Sequence, residues 1–204
     1  MSNRIEGRSL EGKTEGHRIE RPPEEVLVVG IYTSPKKEAP MQFQTEVEAV
    51  AGAGLVGDRY YSGNSMNDYG GSFRGIRIPD SDRQVTLISL QGINDANRHL
   101  KDQGKKPIQA GETRRNLLLG NIDPLQLDSL VGQQFTVGGV IMEGVERSTP
   151  CVEPPTVLGR PEDGPAFVKA FLPSGGIRAR IVSGGRIRVG DTIALPEVLH
   201  NRSS

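Results

Sequence analysis

Cys151 is the one cysteine in a chain of 204 residues, set in the run Glu146-Arg147-Ser148-Thr149-Pro150-Cys151-Val152-Glu153-Pro154-Pro155. A lone cysteine closes no internal disulfide, and without a CxxC pair it holds neither a zinc ion nor an iron–sulfur cluster. Three roles remain: packed filler, a nucleophile, or one soft ligand to a metal. An arginine and three prolines surround it, unlike the apolar run of a core position. Thr149 suits a helix N-cap and Pro150 the first helical position, which predicts Cys151 in the first turn, where unsatisfied N–H groups favour an anion. Pro154 biases Glu153 away from helix, so that turn is expected to be short. An unperturbed thiol, with a pKa of about 8.5, is only a few per cent ionised at neutral pH. Lowering it by roughly two units takes about 2.7 kcal/mol, for which a helix N-terminus and Arg147 are the expected sources.

Other side chains with chemical potential lie at turns and strand ends. Arg59 follows the Gly-rich stretch Ala51–Tyr61, where backbone can approach a ligand closely. Asp58 is placed to orient it. Ser89, at a predicted strand end, can donate to a ligand or cap the helix that follows. Arg114 and Asn116 flank Arg115 at the start of another predicted strand. A Cys–His hydrolase would need an imidazole, but His17 lies in the N-terminal tail, His200 near the C-terminus and His99 on a predicted helix beside Leu100. No spacing ties any of them to Cys151.

The elements that must position these groups are short. Valine and isoleucine outnumber leucine, and 26 glycines and 14 prolines punctuate the chain, a composition of strands and turns with few helices. Balanced charge, 25 basic against 25 acidic residues, gives no general attraction to nucleic acid or anionic membrane. No apolar run approaches the ~20 residues of a membrane span, and the polar N-terminus has no apolar h-region, so a cytoplasmic location with a reduced thiol is expected.

Residues 1–25 are polar and aperiodic and are read as a flexible tail, residues 26–196 as one domain, and residues 197–204 as a second tail. Val26–Thr33 and Thr45–Val50 are predicted strands, and Ser62–Asp82 a long polar loop. Arg83–Ser89 is a strand, and Gln91–Gln103 a helix with Ser89 as its cap and Gly104 as its stop. Arg115–Leu119 is a strand, Pro124–Leu130 a turn, and Gln133–Val137 with Val140–Glu146 a strand pair about Gly138-Gly139. Pro165–Phe171 is a short helix. Ile177–Ile181 and Arg186–Val189 alternate apolar residues with arginines. Pairing them across a Ser183–Gly185 loop would set Ile181 opposite Ile187 and Arg180 opposite Arg188. Like charges so placed need water, an acid or an anion between them. Many short strands with a few short helices predict a mostly β (α+β) fold, a closed or nearly closed antiparallel barrel.

Six segments taken together carry a resemblance. They are Gly54-Leu55-Val56-Gly57-Asp58-Arg59-Tyr60-Tyr61, Arg83–Ser89, Arg114–Leu119, Thr149-Pro150-Cys151, Gly175–Ala179 and Gly185–Asp191. In this order they resemble the MOSC domains, named after the C-terminal domain of molybdenum cofactor sulfurase. The likeness spans roughly Val26–Pro196 and is closest to the stand-alone bacterial type. The chain departs from the pattern at Tyr60, where many members carry histidine, and in the length of Ser62–Asp82. The resemblance implies a barrel with small helices and a molybdopterin site whose metal is ligated or sulfurated at Cys151. It also implies Arg59, Ser89, Arg114 and Asn116 as cofactor-binding residues, the last two matching the family's Arg-x-Asn. A cysteinyl thiolate suits a soft molybdenum centre, and arginine forks suit the pterin phosphate.

Two functions follow from the resemblance. One is a molybdenum-dependent oxidoreductase that reduces small N-hydroxylated compounds with electrons from an external protein donor, since the chain can build no iron–sulfur cluster and shows no dinucleotide fingerprint. The other is a non-redox sulfur or cofactor carrier with a persulfide on Cys151. Pyridoxal phosphate is not expected, because the chain lacks the domain that would use it.

Overall fold

The computed structural model describes residues 25–37, 39–61, 72–73, 76–77 and 83–196. The expected tails, apart from Glu25, and most of the expected Ser62–Asp82 loop lie outside the described residues. The fold is mixed α+β, mostly sheet, with a few short helices. Strands β1 (Leu27–Thr33), β2 (Gln42–Gln44), β3 (Glu46–Val50) and β4 (Gly54–Leu55) come first, followed by the small pair β5 (Ser72–Phe73) and β6 (Ile76–Arg77). After β7 (Val85–Ser89) come helix α1 (Leu90–Asp102), β8 (Leu117–Gly120) and helix α2 (Pro124–Asp128). The rest of the chain forms β9 (Gln134–Val137), β10 (Val140–Arg147), α3 (Glu153–Val157), α4 (Gly164–Phe171), β11 (Ile177–Ser183), β12 (Gly185–Arg188) and β13 (Ile193–Ala194).

Eight strands form one sheet in the order β13-β9-β10-β11-β7-β8-β1-β2, and β12-β3-β4 form another. The pairing is antiparallel except between β7 and β8, which α1 joins as a crossover. The expected closed or nearly closed barrel is corrected here, because no sheet closes on itself. The two flanks of the large sheet do touch: Leu27 bridges Thr192, and the Ile193 N–H donates to Val26 O at 2.9 Å.

Strands β7 and β8 are buried throughout because both of their faces are covered. Leu87, Leu117 and Leu119 join the main core with Val28, Ile31, Met142, Ile177 and Ile187. Ile88 and Leu118 face the other way and pack under α1 and α4 with Ile93, Leu100, Phe167 and Phe171. The two phenylalanines of α4, four residues apart, stack at 4.5 Å between centroids. Ser89 caps α1 as expected by accepting the Gly92 N–H, and Gly104 takes φ 67° just past its end. The β9–β10 hairpin turns at Gly138-Gly139 as the sequence implies.

Two further expectations are corrected. Ile177–Ile181 and Arg186–Val189 are not hairpin partners: β11 pairs with β10 and β7, while β12 crosses to the other sheet and pairs with β3. The alternation was real, but acids on other strands answer the arginines. Arg180 meets Glu143 at 2.9 Å, Arg178 meets Glu146 at 2.7 Å, and Arg186 and Arg188 both reach Glu46. A Cβ at Gly184, between the two strands, would crowd Ala49 O, so the corner is built on close backbone approach. The helix near the cysteine also starts later than expected. Residues 148–151 are irregular, and α3 begins at Glu153 with Pro154 and Pro155 in its first turn, where a missing N–H costs nothing.

Candidate functional site

The turn after β4 carries Asp58 and Arg59, which meet the start of β8 and the N-terminus of α3. Asp58 is buried and accepts from Ser34 N–H (3.0 Å), Tyr60 N–H (3.1 Å) and Asn116 Nδ2 (3.0 Å). Burial raises its carboxyl above the ordinary value, opposed by those N–H bonds and by Arg59. Asn116 is buried as well. Its Nδ2 also donates to Tyr32 O, and its Oδ1 accepts from Thr86 N–H and hydroxyl. Asn116 therefore knots β1, β7 and the Asp58 turn together. Replacing Asp58 with alanine removes the acceptor of three donors, two of them buried, and the expected result is a loss of about 3 kcal/mol in urea unfolding at neutral pH.

Arg59 and Arg114 converge on one carboxylate. Arg59 Nη1 lies 3.1 Å and Arg114 Nε 3.2 Å from Glu153 Oε1. The two guanidinium side chains are only 8% and 5% exposed. Both also donate to Lys37 O, Arg114 donates to Ala39 O, and Arg59 lies over the Tyr60 ring. Arg114 reaches this position from a left-handed backbone, φ 60° and ψ 32°, unusual for a residue with a side chain. A parallel clamp lies on β10 and β11. There Glu146 Oε1 takes Arg83 Nε and Arg178 Nη1, each at 2.7 Å. The hydrogen bond from Arg178, then the charges of Arg178 and Arg83, hold Glu146 below the ordinary carboxylate range. Its contribution to stability is therefore present above that range and is lost as the pH falls through the lowered folded value.

Cys151 is exposed, in the irregular segment between these clamps. Two anchors fix the segment. Ser148 N–H donates to Gly176 O at 2.7 Å, and Glu153 is held by its arginine pair. Gly175 and Gly176 permit the first anchor, because a Cβ at Gly175 would overlap Ser148 O and one at Gly176 would overlap Leu87 O. Arg115 donates Nε to Gly175 O at 3.0 Å and has no carboxylate partner among the described residues. Burial pushes its guanidinium down to about 10, and Arg178 pushes the same way; Cys151 and Tyr60 act against them. Arg115 thus brings positive charge to the thiol.

Of the residues singled out in the sequence, the structure brings Arg59 and Arg114 together directly and places Asn116 behind them through Asp58. Ser89 stands apart, at the other end of β7, where its hydroxyl donates to Ile122 O and caps α1. His99 is exposed on α1 and contacts none of this cluster, while His17 and His200 lie outside the described residues. Sequence reading missed Arg115 and Glu153. Their signals were present, since Arg115 adjoins Arg114 and Glu153 follows the cysteine by two.

A cleft of ≈ 530 Å³ opens beside Arg114. Tyr32, Met41, Phe43, Pro154 and Leu158 give it an apolar lining, with Glu112 as its acidic group, and its size lies in the range for small organic ligands. Among the described residues no three histidine, cysteine or acidic side chains gather as a metal site. No helix among them is long and apolar enough to cross a membrane.

A MOSC domain family model matches residues 57–194. No curated protein matches the chain. Among solved structures, the YuaD protein from Bacillus subtilis is 19% identical with a TM-score of 0.67, over 85% of this chain and 98% of that one. YiiM from Escherichia coli is 13% identical with a TM-score of 0.58, over 86% of this chain and 71% of that one. YiiM from Geobacillus stearothermophilus is 13% identical with a TM-score of 0.55, over 84% and 75%. At these identities the likeness speaks to the fold.

Proposed function

Since the chain belongs to the MOSC domain family, we propose that it binds the molybdenum cofactor at Cys151 and reduces small N-hydroxylated compounds. The observation that carries this reading is an exposed thiol beside Arg115, a guanidinium with no carboxylate partner among the described residues. The donor chemistry fits. A single sulfur cannot complete a metal's coordination, but it suits a soft metal that arrives already held by its own dithiolene sulfurs. Such a cofactor supplies a redox-active metal. Arg59, Arg114 and Arg115 would hold its anionic groups, with forks suited to phosphate. Asn116 and Ser89 would serve the same site through what they hold, Asn116 by fixing Asp58 and Ser89 by fixing the start of α1. Pyridoxal phosphate has no place in this reading.

The overall reaction breaks an N–O bond with uptake of two electrons and two protons, releasing an amine or imine nitrogen and water. The electrons come from an external donor protein. The apolar cleft beside Arg114 is the proposed seat of the organic part of the substrate. The working unit is residues 26–196, flanked by tails at residues 1–25 and 197–204, in the cytoplasm.

The test is metal analysis and turnover on the purified full chain. It should carry about one molybdenum per chain and reduce N-hydroxylated compounds with an artificial donor. Metal-replete protein inert toward all of them would overturn the oxidoreductase reading. The exposure of Cys151 and of its neighbour Val152 favours a second reading, a sulfur or cofactor carrier that hands its cargo to another protein. A stable extra sulfur on Cys151 by mass spectrometry, without molybdenum, is the result that reading requires.

A further inference from the structure

We propose that Glu153 is a specificity-determining residue: it sets the charge met by a molecule approaching Cys151, and so favours uncharged reactants over anions. The inference rests on the reading of Cys151 as the functional thiol. Glu153 Oε1 is shared by two guanidinium groups that are almost wholly removed from water, at 3.1 and 3.2 Å. Glu153 and Asp58 together offset the two charges of Arg59 and Arg114, which leaves Arg115 as the nearby cation without an acid among the described residues. Only Val152 separates Glu153 from Cys151, so their Cα atoms lie within about 7 Å. The Glu153 side chain is only 22% exposed, so at that separation its charge is only partly screened.

The position of the acid also matters. Glu153 is the first residue of α3, and its arginine clamp is the downstream anchor of the irregular segment carrying the thiol. The same carboxylate therefore fixes where the sulfur sits and how positive its surroundings are. Neutralising Glu153 as glutamine adds one net positive charge while keeping an oxygen that can still accept from the two guanidinium groups. Shortening it to aspartate keeps the charge.

The test compares alkylation of Cys151 by anionic iodoacetate and neutral iodoacetamide, on full chain from a host that makes no molybdenum cofactor. The thiolate fraction cancels in the ratio of the two rates. Glu153→Gln should raise the iodoacetate-to-iodoacetamide ratio about fivefold, as expected for one charge removed close to the thiol in a partly solvated setting. The rise should shrink in 1 M salt. Glu153→Asp should stay near the wild-type ratio, as should Glu112→Gln, which removes an acid elsewhere on the cleft. Should Glu153→Gln fold poorly, the double variant Arg59→Gln/Glu153→Gln restores the charge balance and should return the wild-type ratio. An unchanged ratio in Glu153→Gln, or an equal rise in Glu112→Gln, would overturn the proposal. Failure of the chain to bind molybdenum would defeat the functional reading and leave these ratios untouched, so the two outcomes are separable.

Discussion

Cys151→Ser should lose essentially all bound molybdenum while keeping its melting temperature within about 2 °C of wild type. The first half follows from the donor inventory. Among the described residues no trio of ligating side chains exists to hold a metal without the thiol. A serine oxygen is also a poor substitute for a soft sulfur ligand. The second half follows from exposure. The Cys151 side chain has solvent around it rather than core, and substitutions at such positions change stability by less than about 0.5 kcal/mol. Metal analysis beside a thermal melt reads both. Equal molybdenum in the two proteins would remove Cys151 from the coordination sphere and leave the fold assignment standing.

Gly176→Ala should be the most damaging single-methyl change in the molecule's site region, costing upwards of about 3 kcal/mol and lowering soluble yield. Two penalties act together. The backbone sits at φ 81°, which L side chains resist, and the new Cβ would overlap the Leu87 carbonyl oxygen on the neighbouring strand. Because Gly176 O also receives the Ser148 N–H, the shift passes directly to the cysteine segment. Gly104→Ala is the matched control. Its φ of 67° carries a comparable conformational strain, but nothing lies within 4 Å of the added carbon, so it should cost only about 1 kcal/mol. Urea unfolding of the pair separates strain from collision.

The local elements were legible where one rule dominated. Ser89, Ile93, Ala96, Leu100 and Gly104 mark α1 unambiguously, with cap, face and stop in agreement. Gly138-Gly139 likewise announces the β9–β10 hairpin. The reading failed where the deciding partner was distant in sequence. The arginines of β11 and β12 fit a hairpin by their alternation, but Glu143, Glu146 and Glu46 lie 32 or more residues away and direct the two strands into different sheets. The prolines after Cys151 read as a helix stop, whereas in a first turn they are a helix start.

The site divides in the same way. Cys151 was conspicuous by its solitude, and Arg59 and Arg114 by their motifs. Glu153 and Arg115 were overlooked because their importance comes from convergence. One oxygen takes two guanidinium groups, from 94 and 39 residues upstream, and one guanidinium is left without an acid. Asn116 shows a related lesson, since its side-chain amide is engaged on both sides by β1, β7 and Asp58.

The contact of Val26 with Ile193 has a practical meaning. The chain enters and leaves the domain at the same spot, so a linker of a few residues can join those points, and new ends can be cut in a surface turn such as Gly138-Gly139. A circular permutant made this way should fold with the thiol and its arginines undisturbed, and proteins fused at either flank would emerge side by side.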